Sequence, residues 1–397
     1  MALKNIEMVL NTYRFVGGNN KVQVNLMKKF GAGVKNMEKW FTSERIVLRS
    51  NPGKKSKAKV GPTYTTSVSY CKNLNGFVKF LKNGRKLKNV HYLISADGGQ
   101  GKFAIVLHMF DKDNPGGVDW QGLKASGTRR SIVLLECDNA VENYFNMVKL
   151  FALLDLPNFS EKFKFTGDYK LLRIMLGLSG GKPTYGCPFC LGTKIQSSGK
   201  YMKGLARTLG FCKEQSQKFK DESKSDKLKA KKHYNCINTP VEIMNEEDDT
   251  WTLLLFPPGP LHTILLGGPN DLMKAIKKKH LAKFNDFCKK FRHEMTEGKG
   301  GQFNGVSIRS MLTTEEELQF WKTELPQGVG DAVYDYLKVT WDVYLVCTQK
   351  EVDPIHPAVF KDFRSKFLTV QSMLPISHTV KIHAVIGELF NCIIHFL

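Results

Sequence analysis

Asp97 and Asp168 carry the side chains best suited to chemistry in this chain, because each closes an extended stretch and opens toward a turn. Asp97 ends the apolar run His91-Tyr92-Leu93-Ile94-Ser95 and precedes Gly98-Gly99-Gln100-Gly101. Asp168 ends Lys162-Phe163-Lys164-Phe165-Thr166-Gly167, and Cys187-Pro188-Phe189-Cys190 begins nineteen residues later. Two carboxylates presented at strand ends can clamp divalent cations for in-line attack on a phosphodiester. A Cys-x2-Cys spacing lets two thiolates hold one tetrahedral zinc.

The elements that must position these groups follow in order. Strand patterns cover 91–97, 103–110 and 131–136, with a Gly/Pro/Asp-rich connection from Asp111 to Gly127 between the last two. Val141, Phe145, Val148, Phe151, Ala152 and Leu154 then repeat at helical spacing. A short strand runs to Asp168, and a helix from Tyr169 to Leu178 stops at Gly180-Gly181. Three strands, helix, strand, helix, with an acid on the first and fourth strands, predicts an α/β protein with an RNase H-like core, a mixed sheet flanked by helices.

Around that core the chain divides four ways. Residues 1–90 are a basic N-terminal region; 91–186 hold the core with Asp97 and Asp168; 187–377 form a large, mostly helical insertion that begins with the Cys-x2-Cys; 378–397 are a return segment. Within the insertion, Lys213 to Lys232 reads as an exposed helix or loop, and Glu242, Glu246, Glu247, Asp248 and Asp249 as a solvated acidic cluster. Met273, Ile276, His280, Phe284, Phe287 and Phe291 fall at spacings of three and four, the core stripe of one helix.

The second half of a zinc site has two candidates. His378-x4-His383 leads; His233-x2-Cys236 would keep the site inside the insertion. Cys-Pro-Phe-Cys is also the active-site tetrapeptide of glutaredoxins, but there it follows a buried strand, and here Ser179 to Gly186 is rich in glycine. Zinc deaminases need Pro-Cys-x-x-Cys with an upstream His-x-Glu, and neither is present. No Walker loop or dinucleotide fingerprint occurs.

At this point the chain resembles the catalytic core of Transib-type DDE transposases, the group that includes the vertebrate recombination-activating recombinase. The motifs are Asp97-Gly98-Gly99, Thr166-Gly167-Asp168, Cys187-x2-Cys190, a long insertion and His378-x4-His383. Pro260-Leu261-His262 with Asn270-Asp271-Leu272, and Gly300-Gly301-Gln302-Phe303-Asn304-Gly305, are similar to insertion-domain segments of that group. The resemblance runs from about residue 90 to 390. It implies that Asp97 and Asp168 bind Mg²⁺ or Mn²⁺, and that a structural Zn²⁺ is held by Cys187, Cys190, His378 and His383. Two departures accompany it. The family's third carboxylate, a Glu, falls beyond Leu397, so the chain reads as an incomplete or decayed copy and a poor catalyst. A shifted register would instead make His383 the first zinc histidine and put Glu388 where the second belongs.

Composition fits a polyanionic partner. The 397 residues hold 59 basic and 37 acidic side chains, a net charge of +22, with 48 Lys and 11 Arg. Lysine is a flexible point charge suited to phosphates. Two surfaces concentrate it: Lys79, Lys82, Arg85, Lys86 and Lys88, and the predicted helix carrying Lys277, Lys278, Lys289 and Lys290. Nine cysteines and the absence of a signal-peptide pattern suit a reducing compartment, the nucleus in a eukaryote. No apolar run approaches the roughly 20 residues that span a bilayer. The expectation is therefore a DNA transposase or recombinase-like protein, with a homodimer open to it. The alternatives are a non-catalytic, zinc-stabilised DNA-binding remnant and a protein-interaction module.

Overall fold

The computed structural model describes residues 38–51, 61–84, 87–99, 101–111, 131–179, 185–193, 204–222, 227–244, 249–257, 264, 266–296, 301–348 and 357–376. These form a mixed α/β protein in which a six-stranded mixed sheet is flanked by helices. The chain divides into two units: one runs to Leu178 and takes back the segment beginning at Asn238, and the other starts at Ser179 and resumes at Asp249.

The first unit is built on the sheet, in the order β1-β2-β5-β4-β3-β6. β1 (Phe41–Arg49) and β2 (Thr63–Cys71) are rich in β-branched, aromatic and hydroxyl residues, which suit a pleated, half-buried surface. They pair antiparallel, and β2 continues the sheet onto β5 (Ser131–Asp138). The basic N-terminal region thus adds two strands to the same sheet, so residue 90 is not a boundary between folded units. α1 (Leu74–Gly84) follows, with Leu74, Phe77, Val78 and Leu81 buried on one stripe and Asn73 capping its first turn through Gly76 N–H at 3.0 Å.

β3 (Val90–Gly99) and β4 (Lys102–Asp111) form a hairpin, and their alternation buries Tyr92, Ile94 and Ala96 against Phe103, Ile105, Leu107 and Met109. On β5 the register slips by one residue opposite Ile105 and Val106, which is why consecutive Leu134 and Leu135 are both buried. α2 (Tyr144–Ala152) crosses over, capped by the Asn143 side chain on Asn146 N–H at 3.0 Å. Asn146 is fully buried and uses its amide on the Arg49 N–H, the Arg49 carbonyl and the Val141 carbonyl, so its own side-chain oxygen and nitrogen are both paired. The crossover delivers β6 (Phe163–Thr166) parallel onto β3, where the other pairings among the described strands are antiparallel. α3 (Tyr169–Met175) begins directly after it. Gly177, at φ +68°, lets the returning segment dock: Asn238 N–H donates to its carbonyl at 3.0 Å, and a Cβ there would lie 2.0 Å from the Asn238 carbonyl oxygen.

The second unit is mostly helical where described, with the short helical turn Thr252–Leu255 and the longer helices α4 (Leu209–Asp221), α5 (Lys227–Lys232), α6 (Gly268–Lys279), α7 (Leu281–Phe291), α8 (Gly305–Thr313), α9 (Glu315–Glu324), α10 (Val329–Thr348) and α11 (Pro357–Met373). Met273, Phe287, Met311, Trp321, Tyr336 and Phe367 are among the side chains of its core. The single long helix expected over Met273–Phe291 is two helices, because His280 leaves helical geometry (φ −135°, ψ 55°) and serves as the cap of both. The apolar spacing survives the break, so periodicity alone did not expose it. Two segments singled out in the sequence meet here: the buried Asn270 side chain accepts from Phe303 N–H at 2.8 Å and donates to the Phe303 carbonyl at 3.3 Å. No helix among the described residues is long and apolar enough to cross a membrane.

Candidate functional site

The sheet presents Asp97 and Asp168 at the C-terminal ends of two neighbouring parallel strands. The β3–β6 register pairs Tyr92 with Phe163 and runs to Ser95 with Thr166. Asp97 lies two residues past Ser95 on β3 and Asp168 two residues past Thr166, at the same end of strands about 4.8 Å apart. Asp97 is exposed and Asp168 half-buried. Asp168 is also the N-cap of α3, its Oδ1 accepting from Leu171 N–H at 2.7 Å. That bond fixes the carboxylate's rotamer and leaves its other oxygen for a ligand.

A third carboxylate stands at the same place, one that the sequence reading passed over. Glu142 precedes the cap of α2, and its Oε1 lies 2.6 Å from where a Cβ on Gly98 would be. Gly98, next to Asp97, lets the Glu142 carboxylate lie against the strand in this position. Glu142 Oε2 pairs with Lys170 Nζ at 2.5 Å, two residues past Asp168, and the Glu142 side chain is only 10% exposed. Asp97, Glu142 and Asp168 thus share one end of the sheet. The available signal was an acid immediately before a helix cap, on the helix that crosses from β5 to β6. Asp111 is excluded as a partner, since it pairs with Val90 at the opposite end of β3. Among the described residues no three His, Cys, Asp or Glu side chains converge closely enough to hold an ion as they stand.

The Cys187-x2-Cys190 turn lies in the second unit and is fully buried. Phe189 N–H points to Cys187 Sγ at 3.4 Å and Gly192 N–H to Cys190 Sγ at 3.2 Å, bonds that favour sulfur as thiolate. Its neighbour is Arg207, held in place by Arg207 N–H to Phe189 carbonyl (2.9 Å) and Thr252 N–H to Arg207 carbonyl (2.8 Å). Arg207 is 0% exposed; its Nε donates to the Cys187 carbonyl at 3.2 Å and its Nη1 to Cys236 Sγ at 3.3 Å. Cys212, on α4, shares a hydrogen bond with Cys236. That bond, with help from Arg207, lowers the Cys212 thiol to about 7, while Cys236 is pushed up by the same bond and by burial. Burial, with Cys190 beside it, pushes Cys187 up.

Of the proposed zinc ligands, His378 and His383 lie outside the described residues, as does Glu388. The rival His233 is buried, with Nε2 on Glu222 Oε1 at 2.9 Å and Nδ1 without a protein partner. For the basic surfaces, Lys79 and Lys88 are exposed, Lys82 pairs with Glu161 at 3.4 Å, and Arg85 and Lys86 are outside the described residues. Lys277, Lys278, Lys289 and Lys290 are exposed, divided between α6 and α7 by the break at His280, and Lys290 pairs with Glu316 at 3.1 Å. In comparison with known proteins, the chain matches no family model and no curated protein.

Proposed function

We propose that this chain is a DNA-processing protein of the DDE transposase or recombinase class, with Asp97 and Asp168 on an RNase H-like core as holders of Mg²⁺ or Mn²⁺. The observation that supports the reading is the parallel β3–β6 register, whose last pair, Ser95 with Thr166, lies two residues before each aspartate, although the two are 71 positions apart in sequence. Hard oxygen ligands on a partly exposed strand edge suit such cations. When bound, the cation would neutralise charge on the attacking and leaving oxygens of a phosphodiester. The chain's own part is positioning: the strand register spaces the carboxylates, the α3 cap fixes Asp168, and Glu142 holds Lys170 beside them. The exposed lysines supply sequence-tolerant contacts to phosphates, and the Cys187/Cys190 thiolates contribute to a structural zinc.

A non-catalytic, DNA-binding reading has one observation in its favour: capping α3 is by itself a sufficient structural reason for an acid at 168. Nicking of supercoiled plasmid in Mn²⁺ separates the two. Nicking by the unmodified chain is expected to disappear in Asp168→Asn, whose amide oxygen can still cap the helix. No difference between the two proteins, alongside DNA binding that weakens steeply from 50 to 300 mM salt, leaves the binding reading and removes the catalytic one.

A further inference from the structure

Phe145, in the first turn of α2, carries two cations. The Arg49 guanidinium lies 3.9 Å from the centre of its ring and the Lys149 ammonium 4.8 Å. Like charges gathered on one ring repel each other, and an aromatic face offsets only part of that cost. The usual remedy is a carboxylate, and none of the described residues pairs with either cation. Glu142, one turn before Phe145, is already matched by Lys170, and Glu44, on the other face of β1, bonds to Tyr70. Lys149 Nζ donates to the Val47 carbonyl at 3.0 Å, which leaves its charge unbalanced. Arg49 Nε is enclosed without a partner.

The pair stands at a definite place in the first unit. Antiparallel pairings run from β1 through β2, β5 and β4 to β3, so β1 and β3 point the same way. Arg49 therefore closes its strand at the end of the sheet that carries Asp97. A short chain of contacts joins the two places. Asn143 Nδ2 donates to the Arg49 carbonyl at 2.8 Å, and the carboxylate of Glu142, its neighbour, lies against Gly98. The backbone of Arg49 is fixed there, with Asn146 bonded to both its N–H and its carbonyl. Arg45, exposed on the same face of β1 by the period of two, continues the positive charge along the strand.

We propose that Arg49 and Lys149, aligned on Phe145, clamp a backbone phosphate of DNA at the carboxylate end of the sheet and so guide the strand toward Asp97 and Asp168. A guanidinium held by its face keeps its N–H fork in the plane of the group, where it can meet two oxygens of one phosphate. The ammonium beside it adds a point charge, and the phosphate supplies the anion that the fold does not. The inference rests on the DNA reading of the proposed function. It adds a contact outside the two lysine surfaces, on elements tied directly to the carboxylates.

The test is DNA binding by the full-length protein, read as the anisotropy of a labelled duplex between 50 and 300 mM salt with no divalent cation present. Arg49→Gln with Lys149→Gln is expected to flatten the slope of log affinity against log salt by about 2, roughly 1 for each cation removed. Lys361→Gln with Arg364→Gln, the same change of charge at exposed positions of α11 outside both basic surfaces, is expected to leave the slope as it was. Arg49→Lys keeps the charge without the fork, and should restore the slope at weaker affinity. Phe145→Leu keeps both charges but removes the ring that aligns them, so affinity should fall about 2- to 5-fold with the slope retained. An unchanged slope in the Arg49/Lys149 variant would overturn the proposal and reduce the pair to packing. An equal loss of slope in the α11 variant would overturn it in favour of net charge alone. Val47 and Val148 border the pair at 45% and 39% exposure. Loss of self-association in place of DNA binding in the Arg49/Lys149 variant would give this face to a second copy of the chain. If the unmodified chain binds no DNA, the DNA reading has failed and takes the clamp with it. If it binds DNA and the Arg49/Lys149 variant binds identically, only the clamp has failed, and plasmid nicking still tests the reaction by itself.

Discussion

The carboxylate end of the sheet and the thiol cluster of the second unit solve opposite electrostatic problems. At the sheet end Asp97 is exposed and Asp168 half-buried, and water screens their mutual repulsion. Glu142, whose side chain is 10% exposed, has its own cation in Lys170. In the thiol cluster nothing is screened: Arg207 and four cysteines are 0–1% exposed, and every charge must be balanced inside the fold. The first region can afford to be open to a charged substrate. The second is closed, and its charges can only serve the fold. Under the proposed function the open region is the place for reaction and the closed one a place for structure, a distinction that can be broken by substitutions that confuse the two.

The largest effect belongs to the closed region. Cys187→Ser with Cys190→Ser removes the sulfurs that accept from Phe189 and Gly192 N–H, and with Cys187 one of the three sulfurs that act on Arg207. If a structural metal depends on them, the loss is on the order of 10 kcal/mol at neutral pH, enough to unfold the surrounding segment outright. Limited proteolysis should then cut between residues 185 and 257 under conditions that leave the unmodified chain intact. An unchanged cleavage pattern would reduce these thiols to ordinary core filling.

At the open end the expected effect is on reaction and not on fold. Glu142→Gln removes one carboxylate from the sheet end and frees Lys170, whose side chain is 59% exposed. The ion pair so lost is worth at most about 1 kcal/mol. Nicking in Mn²⁺ should nevertheless fall about 10²-fold, the scale for losing one preorganised electrostatic group. A variant that unfolds easily but nicks as before would mean that Glu142 braces Gly98 and Lys170 and does nothing else.

The difference between the regions also explains what the sequence disclosed. Strand alternation is local, so β3, β4, β5 and the order leading to Asp168 were readable residue by residue. β1 and β2 were not, because runs such as Thr63–Cys71 mix hydroxyls with apolar residues and bury only part of one face. Glu142 was missed because its role depends on the crossover that brings α2's N-terminus to Gly98, a long-range fact. Arg207 was missed for a related reason. Nothing in Leu205-Ala206-Arg207-Thr208 distinguishes it from a surface cation; only the bridges Cys190 with Ala206 and Thr208 with Trp251 carry it indoors. Cys236 entered the sequence reading with His233 as its partner, but His233 bonds to Glu222 and Cys236 to Cys212 and Arg207.

The smallest effect sharpens the comparison within one residue type. The first unit also buries thiols, Cys71 at the end of β2 and Cys137 on β5, but no guanidinium is among the causes that shift them. Burial alone is the main influence on each, and pushes both up from 9.0 to about 12. The consequence has a definite sign. A thiol whose folded pKa lies above its unfolded value holds its proton longer in the fold, so its contribution to stability is full below pH 9. It is lost as pH rises from about 9 through 12, with a limiting slope near 1.4 kcal/mol per pH unit for each thiol. Denaturation midpoints of the first unit, followed by the fluorescence of the buried Trp40 stacked near Phe80 (5.9 Å), should therefore be flat from pH 7 to 9 and decline above it. Cys71→Val with Cys137→Val should reduce that decline, since valine has no proton to give up, and leave the share of Tyr92, which burial also pushes up to about 12. A decline as steep in the double variant as in the unmodified chain would mean that these thiols contribute nothing to it and that the buried tyrosines of the first unit, Tyr92 foremost, carry it.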